Sequence, residues 1–499
     1  MAMTIPKTLS LISISLLLSA CGSDDSSNSD GMSAADTSIK NLMNGQAGKI
    51  DLTADRQIPS INSPIAQLGM KLFYSKALSG DMDAACVTCH HPMLGGGDGL
   101  SLSIGVEAEL PNLLGPGRAH ASSGTHFDGG PTVPRNAPTT FNIMLWEREI
   151  FHDGRLETLP GVNNSDIVGN MIITPDSSGI ADPEAGSNLT QAQARFPVTS
   201  AEEMRGHSFE QGQSNDDVRD HLAERIKGTS NTELATNNWL DAFRAGFKSP
   251  EASADQLITF SNITAAIAEY ENSQTFINTP WKAYLEGDLF AVSEEAKQGA
   301  ILFYKSSDDG GAGCAGCHSG SFFSDEGFHV SAFPQVGRGK GNGTTTTDDF
   351  GRFRVTATAA DRYAFRTPSL INVEVTGPWG HAGSMMSLED TVRYHLNPAV
   401  AFSSYDVNKL DNNVQTADMM VNTQNALDHL KTLQDNAQTK LKNVDLSDAE
   451  VNQLLAFIKA LTDPCVKDRA CLAPWIPAEG FDDPDGLRLN AINQNGDLL

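Results

Sequence analysis

The chain carries Cys-x-x-Cys-His twice, as Cys86-Val87-Thr88-Cys89-His90 and as Cys314-Ala315-Gly316-Cys317-His318. Two thiols at this spacing form thioethers to the vinyl groups of a haem, and the imidazole that follows takes the iron from one side. The competing reading is a zinc site made of two Cys-x-x-Cys knuckles. The two motifs lie far apart and each is followed at once by His, so two covalently bound c-type haems are expected. His90 and His318 are then the proximal iron ligands. A fold that carries such groups is built around them, with loops wrapping what helices do not cover.

The N-terminus fits a compartment in which haem is attached outside the cytoplasm. Lys7 precedes an apolar run, Leu9 to Leu18, too short to span a membrane as a mature helix. It ends in Leu18-Ser19-Ala20-Cys21, which resembles a bacterial lipobox with Cys21 as the lipidated first residue; an ordinary cleaved signal peptide is the alternative. Gly22 follows in place of an inner-membrane retention aspartate, so a periplasmic protein anchored to the outer membrane is expected. Ser23 to Asp36 is Ser/Asp/Asn-rich and reads as a solvated tether. With 35 Lys+Arg against 62 Asp+Glu the formal charge is −27, which argues against nucleic acid and would steer a basic redox donor. Of seven cysteines, Cys465 and Cys471 remain once lipid and haem are served, and a small disulfide loop is expected there.

A repeat frames the two motifs. Leu68-Gly69-Met70-Lys71-Leu72-Phe73-Tyr74 precedes the first, and Gln298-Gly299-Ala300-Ile301-Leu302-Phe303-Tyr304 the second. Each run has a helix-start signal, Ser63 with Pro64 and Ser293 with Glu294 and Glu295. Ser447-x-x-Glu450 is a capping box opening a further helix, in which Val451, Leu454, Leu455, Ile458 and Leu461 recur at helical spacing. A helical stretch from about Leu257 to Tyr284 lies between the two haem regions, and Gly/Pro/Asn/Thr-rich loops cover 105–138, 161–188 and 337–349. The fold class expected is mainly α, with two cytochrome c-like haem domains and long wrapping loops.

Several further motifs, in order, resemble the bacterial di-haem cytochrome c peroxidase and MauG superfamily. They are Pro134-Arg135-Asn136-Ala137-Pro138-Thr139, Asp153-Gly154-Arg155, Glu203-Met204, Phe365-Arg366-Thr367-Pro368-Ser369-Leu370-Ile371-Asn372-Val373 and Thr376-Gly377-Pro378-Trp379. The resemblance runs from about Ile61 to Asp463. With the lipoprotein signal peptide over 1–20 and the flexible tether over 21–50 read above, it implies an N-terminal peroxidatic haem domain over 51–285. A C-terminal electron-transfer haem domain over 286–464 and a tail over 465–499 follow. It also implies that Gln193, Pro197 and Glu203 form the active-site run over the first haem. There a carboxylate takes the proton of peroxide and returns it to the leaving oxygen. Calcium is the further metal implied, held by the Asn136 side chain and the Thr376 and Pro378 carbonyls.

The chain departs from the family pattern in three places. Family peroxidases often carry a distal His sixteen residues after the proximal one; here that position is Val106, so an open first haem is expected unless His120 or His126 fills the site. At the second haem the position of the family's distal Met falls on His395, favoured over Tyr394, Met385 and Met386. Bis-imidazole ligation lowers a haem potential relative to His/Met. Before Asp-Gly-Arg the family's relay Trp is replaced by His152, with Trp146 and Trp379 as substitutes.

Three functions follow in order of support. The first is an enzyme reducing hydrogen peroxide at the N-terminal haem, with electrons from a small periplasmic cytochrome c or cupredoxin through the C-terminal haem. The second is a MauG-type oxidase modifying a residue of a protein substrate. The third, a non-catalytic carrier, has no use for Gln193, Pro197 and Glu203. The resemblance leaves the oligomeric state open between a monomer and the homodimer common among family peroxidases.

Overall fold

The computed structural model describes residues 32–43, 51–54, 56–229, 232–343, 345–410 and 413–499. The molecule is mainly helical, with one three-stranded and one two-stranded antiparallel sheet of very short strands. Among the described residues no helix is long and apolar enough to cross a membrane. The signal peptide and Cys21 lie outside the described residues.

The repeat becomes two matching helix pairs. Pro64–Tyr74 starts where the Ser63 hydroxyl accepts from the Ala66 amide, with Pro64 in the first turn. It packs against Phe260–Asn272. Glu294–Tyr304, capped by Ser293, packs in the same way against Asp448–Lys459, which opens on the Ser447/Glu450 capping box. A glycine sits at each crossing. A Cβ on Gly69 would lie 1.9 Å from the Ala266 carbonyl oxygen, and one on Gly299 would lie 1.8 Å from that of Gln453. Four residues on, Phe73 meets Tyr270 at 4.8 Å and Phe303 meets Phe457 at 5.0 Å between ring centroids. Both phenylalanines are fully buried, each worth roughly 1.5–3 kcal/mol of apolar transfer.

The stretch 257–284 is therefore no spacer. It breaks into separate helices, and the middle one, Phe260–Asn272, closes the first half as Asp448–Lys459 closes the second.

One expectation about the ends needs correction, and one is met. Within the supposed tether 21–50, Ala34–Met43 is a helix packed on Glu294–Tyr304. Its Asp36, 2% exposed, pairs with Lys297 at 2.9 Å and accepts from the Tyr284 hydroxyl at 2.8 Å. The apolar Ile39 supplies the docking face that composition alone concealed. The 465–499 tail, with Cys465 and Cys471 disulfide-bonded, folds back over the first half. The Leu489 amide donates to the Tyr74 carbonyl, the Trp239 indole to Asp485, and the Tyr270 hydroxyl to the Trp475 carbonyl.

The small sheet places motif residues. Glu149–Ile150 and Leu156–Thr158 form a hairpin whose turn carries His152, Asp153 and Arg155, with Phe151 and Gly154 at positive φ. From the C-terminal half, Arg366 braces that turn: its backbone amide donates to the His152 carbonyl and its guanidinium to that of Phe151.

Candidate active site

One cavity in the first half is walled by Cys86, Cys89 and His90 together with Gln193, Pro197 and Glu203. Residues more than a hundred positions apart thus face a single space. The His90 Nδ1–H donates to the Gly96 carbonyl at 3.1 Å, which leaves Nε2 as the free ring nitrogen. Burial lowers the His90 pKa and keeps the ring neutral, the form in which imidazole binds a metal. Neither thiol is in a disulfide, and burial pushes Cys89 up to about 12 and Cys86 higher still. Two free thiols and an oriented neutral imidazole facing one cavity fit a c-type haem.

The opposite set is positioned by the polypeptide just after the 161–192 insertion. Gln193 ends the short helix Leu189–Gln193, and Pro197 opens the turn Pro197–Thr199. Glu203 lies on a wide π-type turn, Ala201–Arg205, in which the Arg205 amide reaches the Ser200 carbonyl at 2.9 Å. Gly105 is wedged beneath that turn: a Cβ there would lie 2.2 Å from the Glu203 carbonyl oxygen. Burial raises the Glu203 carboxyl above its usual range, against the pull of Arg155 and Lys340.

The segment that would carry a distal His packs elsewhere. Val106 is fully buried, its amide directed at the Glu202 carbonyl 3.4 Å away. His120 contacts Glu107 at 3.6 Å and stacks on Phe127, and His126 lies against His207 at 3.6 Å between centroids. Neither lines the cavity. Its one other imidazole is His152, whose Nε2–H donates to the Asn136 carbonyl at 3.0 Å; burial and then Arg135 push it down to about 3.

At the second motif the His318 Nδ1–H donates to the Phe323 carbonyl at 3.1 Å, and burial pushes the Cys314 thiol up to about 12. Burial and the nearby His395 push His318 down to about 4. His395 is fixed by Nδ1–H donation to the Thr391 carbonyl at 3.0 Å, and its ring centroid lies 6.4 Å from that of His318. That is the spacing of two imidazoles on opposite sides of one metal ion with metal–nitrogen bonds of about 2 Å. The other candidates are engaged elsewhere. The Tyr394 hydroxyl donates to the Ala332 carbonyl at 2.5 Å, Met385 is in the core, and Met386 accepts from Ser101 at 3.4 Å. The two Cys-x-x-Cys pairs pack against different cores, so they do not combine into a zinc site.

The implied calcium donors are partly engaged. The Asn136 Nδ2 donates to the Leu100 and Ser101 carbonyls, so the oxygen is the end of that amide left for a cation. The Asn136 amide N–H also donates to the His381 carbonyl, joining the two halves.

Sequence reading passed over three residues that line the first cavity, Arg155, Lys340 and Glu271. Glu271, 4% exposed, has one carboxyl oxygen without a partner and is pushed up to about 8 by burial. At the matching crossing of the second half stands Ile458, and that substitution within the repeat was a signal in the sequence. Arg155 was visible only as part of a motif. Lys340 had no local signal.

Comparison with known proteins agrees with this geometry. The di-haem cytochrome c peroxidase family model matches residues 63–289. The methylamine utilization protein MauG of Methylorubrum extorquens is 28% identical over 332 residues, 66% of this chain and 67% of its own. The cytochrome c551 peroxidase of Pseudomonas aeruginosa is 28% identical over 326 residues, 65% of this chain and 70% of its own. A MauG-like protein associated with microbial copper homeostasis shares the fold, with a TM-score of 0.53 at 21% identity over 87% of this chain and 98% of that one. So does the diheme peroxidase BthA of Burkholderia thailandensis, with a TM-score of 0.51 at 18% identity over 88% and 93%. Residues 63–289 thus match the di-haem cytochrome c peroxidase family, and the chain is an oxidoreductase similar to MauG and to cytochrome c peroxidases.

Proposed function

We propose that this protein reduces hydrogen peroxide to water at the cavity around His90, with electrons delivered one at a time through the site around His318. The meeting of Gln193, Pro197 and Glu203 with Cys86, Cys89 and His90 in one cavity carries this reading. Haem held by those cysteines and His90 supplies the iron that binds peroxide and the route for electrons. The chain supplies the proton chemistry. Glu203 takes the proton of the bound peroxide and returns it to the departing oxygen, Gln193 orients the ligand, and Pro197 shapes the wall. Per peroxide, two electrons and two protons yield two waters. His152, neutral and tied to the Asn136 carbonyl, is a spacer there and not a base.

The two helix pairs crossing at Gly69 and Gly299 support two cytochrome c-like domains. A lipid-anchored periplasmic protein, with calcium at Asn136, Thr376 and Pro378, completes the proposal. With a reduced small cytochrome c as donor, peroxide is consumed with two donors oxidised per molecule, read by absorbance. No donor oxidation on adding peroxide would sink the reading. The MauG-type alternative is favoured by His395 opposite His318, and oxidation that needs a protein substrate in place of the cytochrome would establish it.

Low-temperature EPR checks the ligands. The oxidised protein gives one high-spin ferric signal, from the haem at His90, and one low-spin signal from His318 with His395. His395→Ala converts the low-spin signal to high-spin. Persistence of the low-spin signal would exclude His395 as the ligand.

A further inference from the structure

The segment 337–349 belongs to the C-terminal half, yet Lys340 lines the first cavity, as Glu203, Arg155 and Arg135 do. The backbone that delivers it is fastened on several sides. Arg338 bonds Asp128 at 2.8 Å, and Arg354 donates to the Lys340 carbonyl at 2.7 Å and to the Asn342 side chain at 3.1 Å. Thr347 donates to Asp418 at 2.7 Å. Gly339, at φ +55, allows the close turn: a Cβ there would lie 1.9 Å from the Thr347 carbonyl oxygen. Four positions held this way, Arg338, Lys340, Asn342 and Thr347, are more than a solvent loop requires.

The charges around Glu203 give Lys340 a task. Glu203 is partly buried, and Glu202 repels its charge; Arg155 and Lys340 are the cations acting on it. Arg155 is already committed to Asp153 at 3.0 Å. Lys340 feels Glu203 and Asp349 as attractive and Arg135 and Arg155 as repulsive, and burial with that repulsion pushes its ammonium down to about 8.

We propose that Lys340 is a positioning residue for Glu203, acting through the field of its ammonium on the wall of the cavity that both residues line to hold the carboxylate ionised. This rests on Glu203 being the acid–base group. The site of peroxide chemistry in the N-terminal half is then completed by a side chain of the C-terminal half. A displacement of the 337–349 segment changes the basicity of the first site without touching the His90 motif.

The test uses the haem-loaded protein and cyanide, which must lose its proton to bind ferric iron and so reports the neighbouring base. Association rates are followed by absorbance across pH. In Lys340→Met the acid limb of the rate profile moves up by about one pH unit, and binding at pH 6 slows about tenfold. Lys340→Arg restores the profile to within about twofold. Lys340→Gln serves if the Met variant loads haem poorly. An unmoved limb in the Met and Gln variants overturns the proposal. So does a shifted reduction potential of the first haem with an unmoved limb, which would make Lys340 a partner of a haem carboxylate. Glu203→Gln separates the two ideas, because it abolishes the limb. If the limb survives Glu203→Gln, the assignment of Glu203 fails, and Lys340 has nothing to position.

Discussion

Glu203→Gln lowers peroxide turnover by about 100- to 10,000-fold while leaving haem content and the proximal ligands intact. The amide keeps the size and planarity of the carboxyl, so the wide turn Ala201–Arg205 and its packing over Gly105 persist. What is lost is a group that accepts a proton and gives it back. The pH dependence follows from the same side chain. Burial raises the Glu203 pKa, so the native protein loses turnover as acid protonates it, at a pH above that of an exposed carboxyl. In the glutamine variant that acid limb disappears and the residual rate is flat. Turnover within about threefold of the parent would falsify the assignment of Glu203 as the acid–base group.

Much of this site was legible because its chemistry demands residues at short fixed spacing. Cys-x-x-Cys-His is local, and so are Ser63 with Pro64 and the Ser447/Glu450 box. Local signals of this kind survive without knowledge of the fold. Gln193, Pro197 and Glu203, and His395 at the position of the family's distal Met, were reached only through the resemblance. The partnership of Lys340 with Glu203 was not legible, since it depends on two segments meeting across the molecule. Nor was the docking of Ala34–Met43. Ser23 to Asp36 has the composition of a tether, and the burial of Asp36 is made tolerable only by Lys297 and Tyr284, more than two hundred residues away. Phe260–Asn272 was readable as a helix, but its pairing with Pro64–Tyr74 became visible only at the Gly69 crossing. Glycine in a helix costs stability unless a close approach uses it.

The largest effect on stability is expected at Arg135. This guanidinium bonds Asp349 through two nitrogens at 2.8 and 2.9 Å and Asp153 at 2.7 Å; all three residues are buried. Arg135 and Asp153 belong to the two motifs of the N-terminal half, and Asp349 to the C-terminal half, so the triad clamps the halves beside the first cavity. Burial works against every charge in it, but mutual attraction wins: Asp153 and Asp349 are held far below the usual carboxylate range and Arg135 is raised. Carboxylates with lowered native pKa values contribute stability that is fully present above their unfolded value of about 3.9 and is lost only as pH falls through the native values. The clamp is therefore intact from neutral pH down to about pH 4. Arg135→Leu leaves Asp349 buried without its cation, and Asp153 with Arg155 alone, at a cost of about 3–5 kcal/mol. For a unit of this size that lowers Tm by roughly 10 °C. Adding Asp349→Leu recovers part of the loss, because an apolar pair replaces an uncompensated charge. A calorimetric Tm within about 2 °C of the parent in Arg135→Leu would show that the halves are held by their apolar contacts instead. Acidification gives an independent check: without Arg135, burial raises the Asp349 carboxyl, so the stability gap between parent and Arg135→Leu is largest at neutral and higher pH, narrows as Asp349 takes up a proton in the variant, and narrows further in stronger acid as the parent's carboxylates protonate.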